Sequence, residues 1–278
     1  MLAAIGDLVL DISIVPDAEL RLGDDTPACI RLGGGGQAAN FCAWVAALDG
    51  QARLLTRVGD DDTGRHLVAE LRDAGVDVCA AVGPEPTGII AVLIGPEGEG
   101  ARAAQRGAIV GLRPEDLDDR WLADIELLHV PAYSLFDEPL AGAATHAVRR
   151  VRRHGALVAV DLSSAASLET YGPQRFAELV GSLSPDLLFA NQDEAQRLAV
   201  PLEDLARVPV VKLGAHGCRI FDDVIPAPSV RQVDATGAGD AFAAAFCLDY
   251  LRCRDATSAA THAVEVAARA VTHVGARP

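Results

Sequence analysis

The feature that most constrains this chain is a regular alternation of short apolar runs with longer helical segments after Gly111. Ile125 to Val130 reads as a strand and Glu138 to His154 as a helix with a basic outer face. Ala156 to Val160 is a strand ending at Asp161, and Pro173 to Leu183 a helix. Leu187 to Ala190, Gln192 to Leu198 and Val208 to Leu213 continue the pattern as strand, helix and strand. Two helices, Ala238 to Leu251 and Ala256 to Val274, close it. Such an alternation implies right-handed βαβ units and a parallel sheet covered on both faces. Half the residues are hydrophobic but only 4% are aromatic, so the core is built from Ala, Val and Leu.

The first hundred residues are less regular. Leu2 to Leu10 reads as one buried strand with Asp11 at its carboxyl end. Residues 12–32 read as an excursion of small strands. Gly33-Gly34-Gly35-Gly36 opens a helix from Gln37 to Leu48. A second helix, Thr63 to Ala74, stops at Gly75. Thr87 to Ile94 is a strand, residues 95–100 a hairpin turn, and Arg113-Pro114-Glu115 the start of another helix. The expectation is a single α/β domain spanning 1–278. Its central sheet is mostly parallel, and pieces near 12–32 and 85–106 join as a small β lobe.

The net charge of −15 argues against nucleic acid or an anionic membrane as partner. A phosphorylated ligand stays compatible, because local amides and a metal override the global field. Six scattered cysteines without a Cys-x-x-Cys pair suit reduced core thiols rather than disulfides or zinc. No apolar run approaches the roughly 18 residues of a membrane span, so a cytoplasmic protein is expected.

Ligands of such folds bind beyond the carboxyl ends of the strands. That rule gathers Asp11, the glycine run, Asp161, Asn191 and the turn at 234–240 on one rim. In that turn, Gly237, Ala238 and Gly239 enter a buried helix, whose free first-turn amides form an anion site. Asp240 follows at once. An anion cradle beside a carboxylate suits phosphoryl transfer to a hydroxyl; the competing reading is an acid that only stabilises its own helix.

Gly35 and Gly36 let backbone press against a small ligand, and Asn40 offers both donor and acceptor. A dinucleotide fingerprint fits poorly, because the glycines cluster and follow the excursion rather than the first strand. Asp11 suits two vicinal sugar hydroxyls or a neighbouring amide. Asn191 and Glu194 read either as an N-cap with an acidic first turn or as neighbours of a hydrated Mg²⁺. Lys212, Gly214 and Gly217 follow a strand and leave room for a nucleotide. Arg106 either meets an acidic sugar or pairs with a surface acid.

These residues resemble the ribokinase-like, PfkB-type carbohydrate kinases over nearly the whole chain. One signature is Gly35-Gly36-x-x-Ala39-Asn40, followed by Arg57-Val58-Gly59-Asp60-Asp61 and Gly64. The other is Asp234-Ala235-Thr236-Gly237-Ala238-Gly239-Asp240-Ala241-Phe242. Asn191 to Glu194 and Leu213 to Gly217 match between them. The resemblance implies a ribokinase-like α/β fold and an ATP-dependent kinase acting on a hydroxymethyl group of a sugar or related molecule; a nucleoside kinase or a silent sugar-binding regulator is the alternative. It assigns Asp240 as base, the amides of 237–239 as anion hole, and Asp11, Gly35, Gly36 and Asn40 as substrate contacts. Asn191 and Glu194 would act through Mg²⁺ and its waters, while Gly214 and Gly217 border the nucleotide. The β excursions correspond to a lid that excludes water and, in some relatives, makes a homodimer. Lys212 departs from the usual threonine. Some relatives bind a monovalent cation beside the second signature, where Asp234 and Thr236 match; rates with and without K⁺ in a Na⁺-free buffer test this.

Overall fold

The structure is a computed structural model describing residues 1–94, 100–198 and 200–278. Its strands are β1 (Leu2–Ile5), β2 (Val9–Pro16), β3 (Ala28–Gly35), β4 (Ala52–Gly59), β5 (Asp77–Gly83), β6 (Thr87–Ile94) and β7 (Gly100–Gly107). They continue with β8 (Leu127–Pro131), β9 (Leu157–Asp161), β10 (Leu187–Asn191), β11 (Val208–Lys212), β12 (Cys218–Ile220) and β13 (Asp223–Ile225). Nine of them form one sheet in the order β13-β12-β11-β10-β9-β8-β1-β4-β5. It is parallel from β11 to β5, and β12 and β13 close one edge as an antiparallel hairpin. The expected mostly parallel sheet is therefore present.

Alternation along each strand divides the core between two faces. Leu2 and Ala4 face the layer of helices Gln37–Ala47, Ala238–Cys253 and Ala256–Ala270, where Phe41, Phe189 and Phe246 are fully buried. Ala3 and Ile5 face helices Leu140–Arg153 and Pro173–Leu183, around Phe176 and Val148. The closing helices pack against one another, and Ala244, Ala245, Ala259, Ala260 and Ala263 on them are fully buried. Small side chains there bring the pair close together and close to the sheet.

A separate four-stranded sheet has the order β3-β2-β6-β7. It contains most of the two pieces expected to pair as a lobe. Residues 95–99 of the expected turn lie outside the described residues.

Three expectations are corrected. The single strand expected from Leu2 to Leu10 is two strands in two sheets. Gly6 (φ 149°) ends β1 and Val9 begins β2, so Asp11 lies opposite Gly33 within the small sheet, not at the end of a main-sheet strand. Gly33 to Gly35 likewise end β3, and Gly36 alone caps the following helix. The helix expected at Arg113 is a 3₁₀ turn, Pro114–Asp116. Strands β4 and β5 were not legible, because arginines and acids interrupt their apolar runs at the sheet edge.

Candidate active site

One cavity of about 980 Å³ runs between the carboxyl ends of the parallel strands and the inner face of the small sheet. Asp11, Gly36, Asn40, Arg106, Asn191, Glu194, Lys212, Gly214, Gly217, Thr236, Gly237, Ala238, Gly239 and Asp240 all line it. Gly35 lies just behind, with the Asp11 carboxyl against its Cα.

Gly237 caps helix Ala238–Cys253 in the left-handed region, φ 76°, and a Cβ there would lie 2.3 Å from the Ala276 carbonyl oxygen. Gly36 (φ 98°) caps the helix carrying Asn40 under the same restriction, 2.3 Å from the Asp7 carbonyl oxygen. Only glycine turns the chain into either helix at these positions. Both helices thus begin at the cavity, with first-turn amides that have no intrahelical acceptor.

Asp240, in the first turn, is half-buried, and the Asn40 Nδ2 donates to its Oδ2 at 2.9 Å. Desolvation pushes the Asp240 carboxyl up to about 7, against the stabilising Asn40 bond. Nearby Asp161 adds to that rise and Lys212 opposes it. The bond across 200 residues fastens the two signature helices to one another.

Asp161 at the end of β9 is 1% exposed and pairs with the Lys212 Nζ at 2.7 Å. Burial disfavours the Lys212 charge, but the carboxylates of Asp161 and Glu194 outweigh it and raise its affinity for a proton. A Cβ on Gly239 would lie 3.3 Å from this ammonium, so Lys212 stands beside the glycine turn that opens helix Ala238–Cys253.

Asn191 and Glu194 cap the helix after β10 reciprocally. The Glu194 amide donates to Asn191 Oδ1 at 2.8 Å, and the Asn191 amide donates to Glu194 Oε2 at 2.7 Å. The structural reading of this pair therefore holds. Glu194 is nevertheless at the cavity wall, and desolvation, reinforced by Asp161, raises its carboxyl to about 7. A carboxylate with surplus negative surroundings fits a Mg²⁺ that keeps its waters. Among the described residues no group of three His, Cys, Asp or Glu is placed to hold a metal ion directly.

Arg106 on β7 donates to Asp7 (2.7 Å) and to Asp137 (3.3 Å). Its guanidinium is thus paired with acids, while its buried Nε has no partner. Desolvation raises Asp11 to about 6, despite Arg277 and Arg102 nearby, and its Oδ1 is buried without a partner. Both Asp234 oxygens accept backbone amides, from Thr236 (2.8 Å) and Gly275 (3.0 Å), so its side chain ties the loop before helix Ala238–Cys253 to the segment after the last helix. Gly214 faces open space, whereas Gly217 packs tightly on the β13 backbone.

Asp7, Arg102 and Arg277 were missed in the sequence. Arg277 is the most consequential, since it bonds both the glycine run and Asn40. A lone arginine in a polar stretch carries no periodic signal. No helix of the described residues is long and apolar enough to cross a membrane.

The description of the pfkB family of carbohydrate kinases matches residues 1–278. An ATP-dependent ribose-1-phosphate kinase from Halopiger xanaduensis is 30% identical, covering 98% of this chain and 90% of that one. Fructokinase-1 from Oryza sativa subsp. japonica is 29% identical over 88% of this chain and 81% of its own. Among solved structures, adenosine kinase from Sinorhizobium meliloti superposes with a TM-score of 0.88 at 26% identity, covering 100% of this chain and 95% of that one. The chain belongs to the PfkB family of ATP-dependent carbohydrate kinases and is a phosphotransferase with an alcohol group as acceptor.

Proposed function

We propose that the protein transfers the γ-phosphoryl group of ATP in line to a hydroxymethyl group of a sugar or sugar phosphate, with Asp240 as general base. The observation that carries this assignment is Asp240 itself: a carboxylate raised to about 7, at a helix mouth in the cavity wall, accepting a hydrogen bond from Asn40 of the other signature helix. A base titrating near the working pH combines a useful fraction of the charged form with a strong pull on the proton.

The acceptor lies between Asp11, Asn40 and the glycine turn, with its hydroxyl at Asp240. Asp240 takes the hydroxyl proton as the oxygen attacks phosphorus. The amides of Gly237, Ala238 and Gly239 receive the charge on the transferred phosphoryl oxygens. Lys212, beside Gly239, adds a cation at the same place. Asn191 and Glu194 would hold Mg²⁺ through its waters, and the ion would supply charge neutralisation for the ATP phosphates. The nucleotide base lies toward Gly214, Val264 and Val271, where the cavity wall turns apolar. The sheet β3-β2-β6-β7 acts as a lid that excludes water from the transfer.

Charged and polar groups from Asp7, Asp11, Asn40, Arg102 and Arg106 surround the acceptor end, and Tyr133 and Phe242 are the aromatic side chains lining the cavity. That composition favours a sugar over a nucleoside. An ADP-release screen with Mg-ATP across sugars, sugar phosphates, sugar acids and nucleosides tests the assignment. Turnover with a sugar or sugar phosphate is expected. Release with no acceptor in the set, or fastest turnover with a nucleoside, contradicts it.

A further inference from the structure

The geometry points to Arg277 as a positioning residue that fixes the orientation of the Asn40 amide, so that Asn40 always presents its NH₂ group to Asp240. This inference rests on the reading of Asp240 as the base. The arrangement is a short chain of hydrogen bonds. The Glu70 carboxylate accepts from Arg277 Nη1 at 2.7 Å, Arg277 Nε donates to Asn40 Oδ1 at 3.2 Å, and Asn40 Nδ2 donates to Asp240 Oδ2 at 2.9 Å.

The direction of this chain follows from the groups themselves. A guanidinium has donors only, so it accepts no other face of Asn40 than the oxygen. With that oxygen engaged, the amide nitrogen is left for the carboxylate. Asn40 is 5% exposed, so water has little access to substitute for either partner.

Arg277 is itself held from several sides. Its Nη2 donates to the Gly35 carbonyl at 3.1 Å. A Cβ on Gly34 would fall 1.8 Å from Nη1, so the guanidinium lies against that glycine. The preceding residues are pinned by Trp44 Nε1 donating to the Ala276 carbonyl (2.9 Å) and by the Gly275 amide on Asp234. One residue thus joins the lid strand β3, the signature helix that carries Asn40 and the helix Asp62–Asp73 that carries Glu70.

Without Arg277, Asn40 is able to turn over and aim its oxygen at the Asp240 carboxylate. Two acceptors then face each other, and the carboxylate either keeps its proton or turns away. The other charges facing Asp240 are Asp161 on β9 and Asp11 on β2, which oppose its ionisation, and Lys212 on β11, which favours it. Of these, Asp11 feels Arg277, which favours its charged form.

The test is steady-state kinetics of Arg277→Met, Arg277→Lys, Asn40→Ala and the double variant Asn40→Ala/Arg277→Met, on an acceptor identified by the ADP-release screen. Arg277→Met is expected to lower kcat roughly tenfold at pH 7, a fraction of the usual 10²–10⁴-fold worth of a general base. The acidic limb of its rate profile moves to higher pH, and the Kd for ATP changes less than about threefold. Arg277→Lys, which keeps one donor, recovers part of the rate. In the Asn40→Ala background, Arg277→Met is expected to cost less than about twofold, because residues acting through one another are not additive. An unmoved acidic limb, or full additivity with Asn40→Ala, overturns the inference. If Arg277→Met does not fold, the same cycle with Arg277→Lys gives the same two readouts. Asp240→Asn in the same assay separates the two claims. An inactive Asp240→Asn beside additive Arg277 variants refutes only the role of Arg277, whereas a fully active Asp240→Asn refutes the base on which it depends.

Discussion

Asp240 carries a conflict between stability and chemistry. Its ordinary carboxyl value of 3.8 is raised to about 7 by desolvation. Between those two pH values the folded chain binds a proton that the unfolded chain has lost, so stability falls as pH rises through the window and levels off above about 7. With Asp240 as the proposed base, catalysis needs the charged form, so activity is expected to rise where stability falls. Asp240→Asn removes the titrating group while leaving Asp11 and Glu194 in place. It is expected to raise the melting temperature by roughly 2–4 °C at pH 8, the scale of one modest stabilising change in a chain this size. The gain should shrink toward pH 5. Thermal unfolding at the two pH values checks this, and an equal difference at both contradicts it.

At the scale of elements, the stretch Arg57 to Gly64 acts as the fastening of the small sheet to the large one. Asp61 caps helix Asp62–Asp73 by accepting from the Gly64 amide at 2.7 Å. The same carboxylate accepts from the Thr87 hydroxyl and amide, both at 2.7 Å, where β6 begins. Arg57 reaches the Ala108 carbonyl and Glu85 on either side of β6 and β7. These residues touch the root of the small sheet rather than Asp240, so on the proposed reading of that sheet as a lid their part is to anchor it. Asp61→Ala should cost about 1–2 kcal/mol in denaturant unfolding, the worth of a strong helix cap. It should also raise KM for the acceptor more than for ATP, since the lid covers the acceptor end. Unchanged stability and unchanged KM values would remove Asp61 from this role.

Across the whole molecule, the parallel sheet and its ligand rim were legible because apolar periodicity reports burial directly. Pro173–Leu183 and Gln192–Leu198 were bounded to the residue for that reason. The switch between β1 and β2 was hidden, because two buried strands in different sheets read as one apolar run when only Gly6, Asp7 and Leu8 separate them. Asp11 still reached the cavity, though on the small sheet and not on the main one. The edge strand β5 and its neighbour β4 were masked by charged residues such as Arg53, which pairs with Asp77. Arg277 has no partner within reach in sequence; its partners lie 207 to 242 residues away and exist only once the chain has folded. The shared cavity, with both signature helices opening into it, is where these distant pieces acquire a common purpose. Turnover of Asp240→Asn on a sugar accepted by the native enzyme, with ATP binding measured alongside, tests that purpose most directly. A fall in kcat of roughly 10²–10⁴-fold with ATP binding preserved is expected, and turnover near that of the native protein would contradict the account.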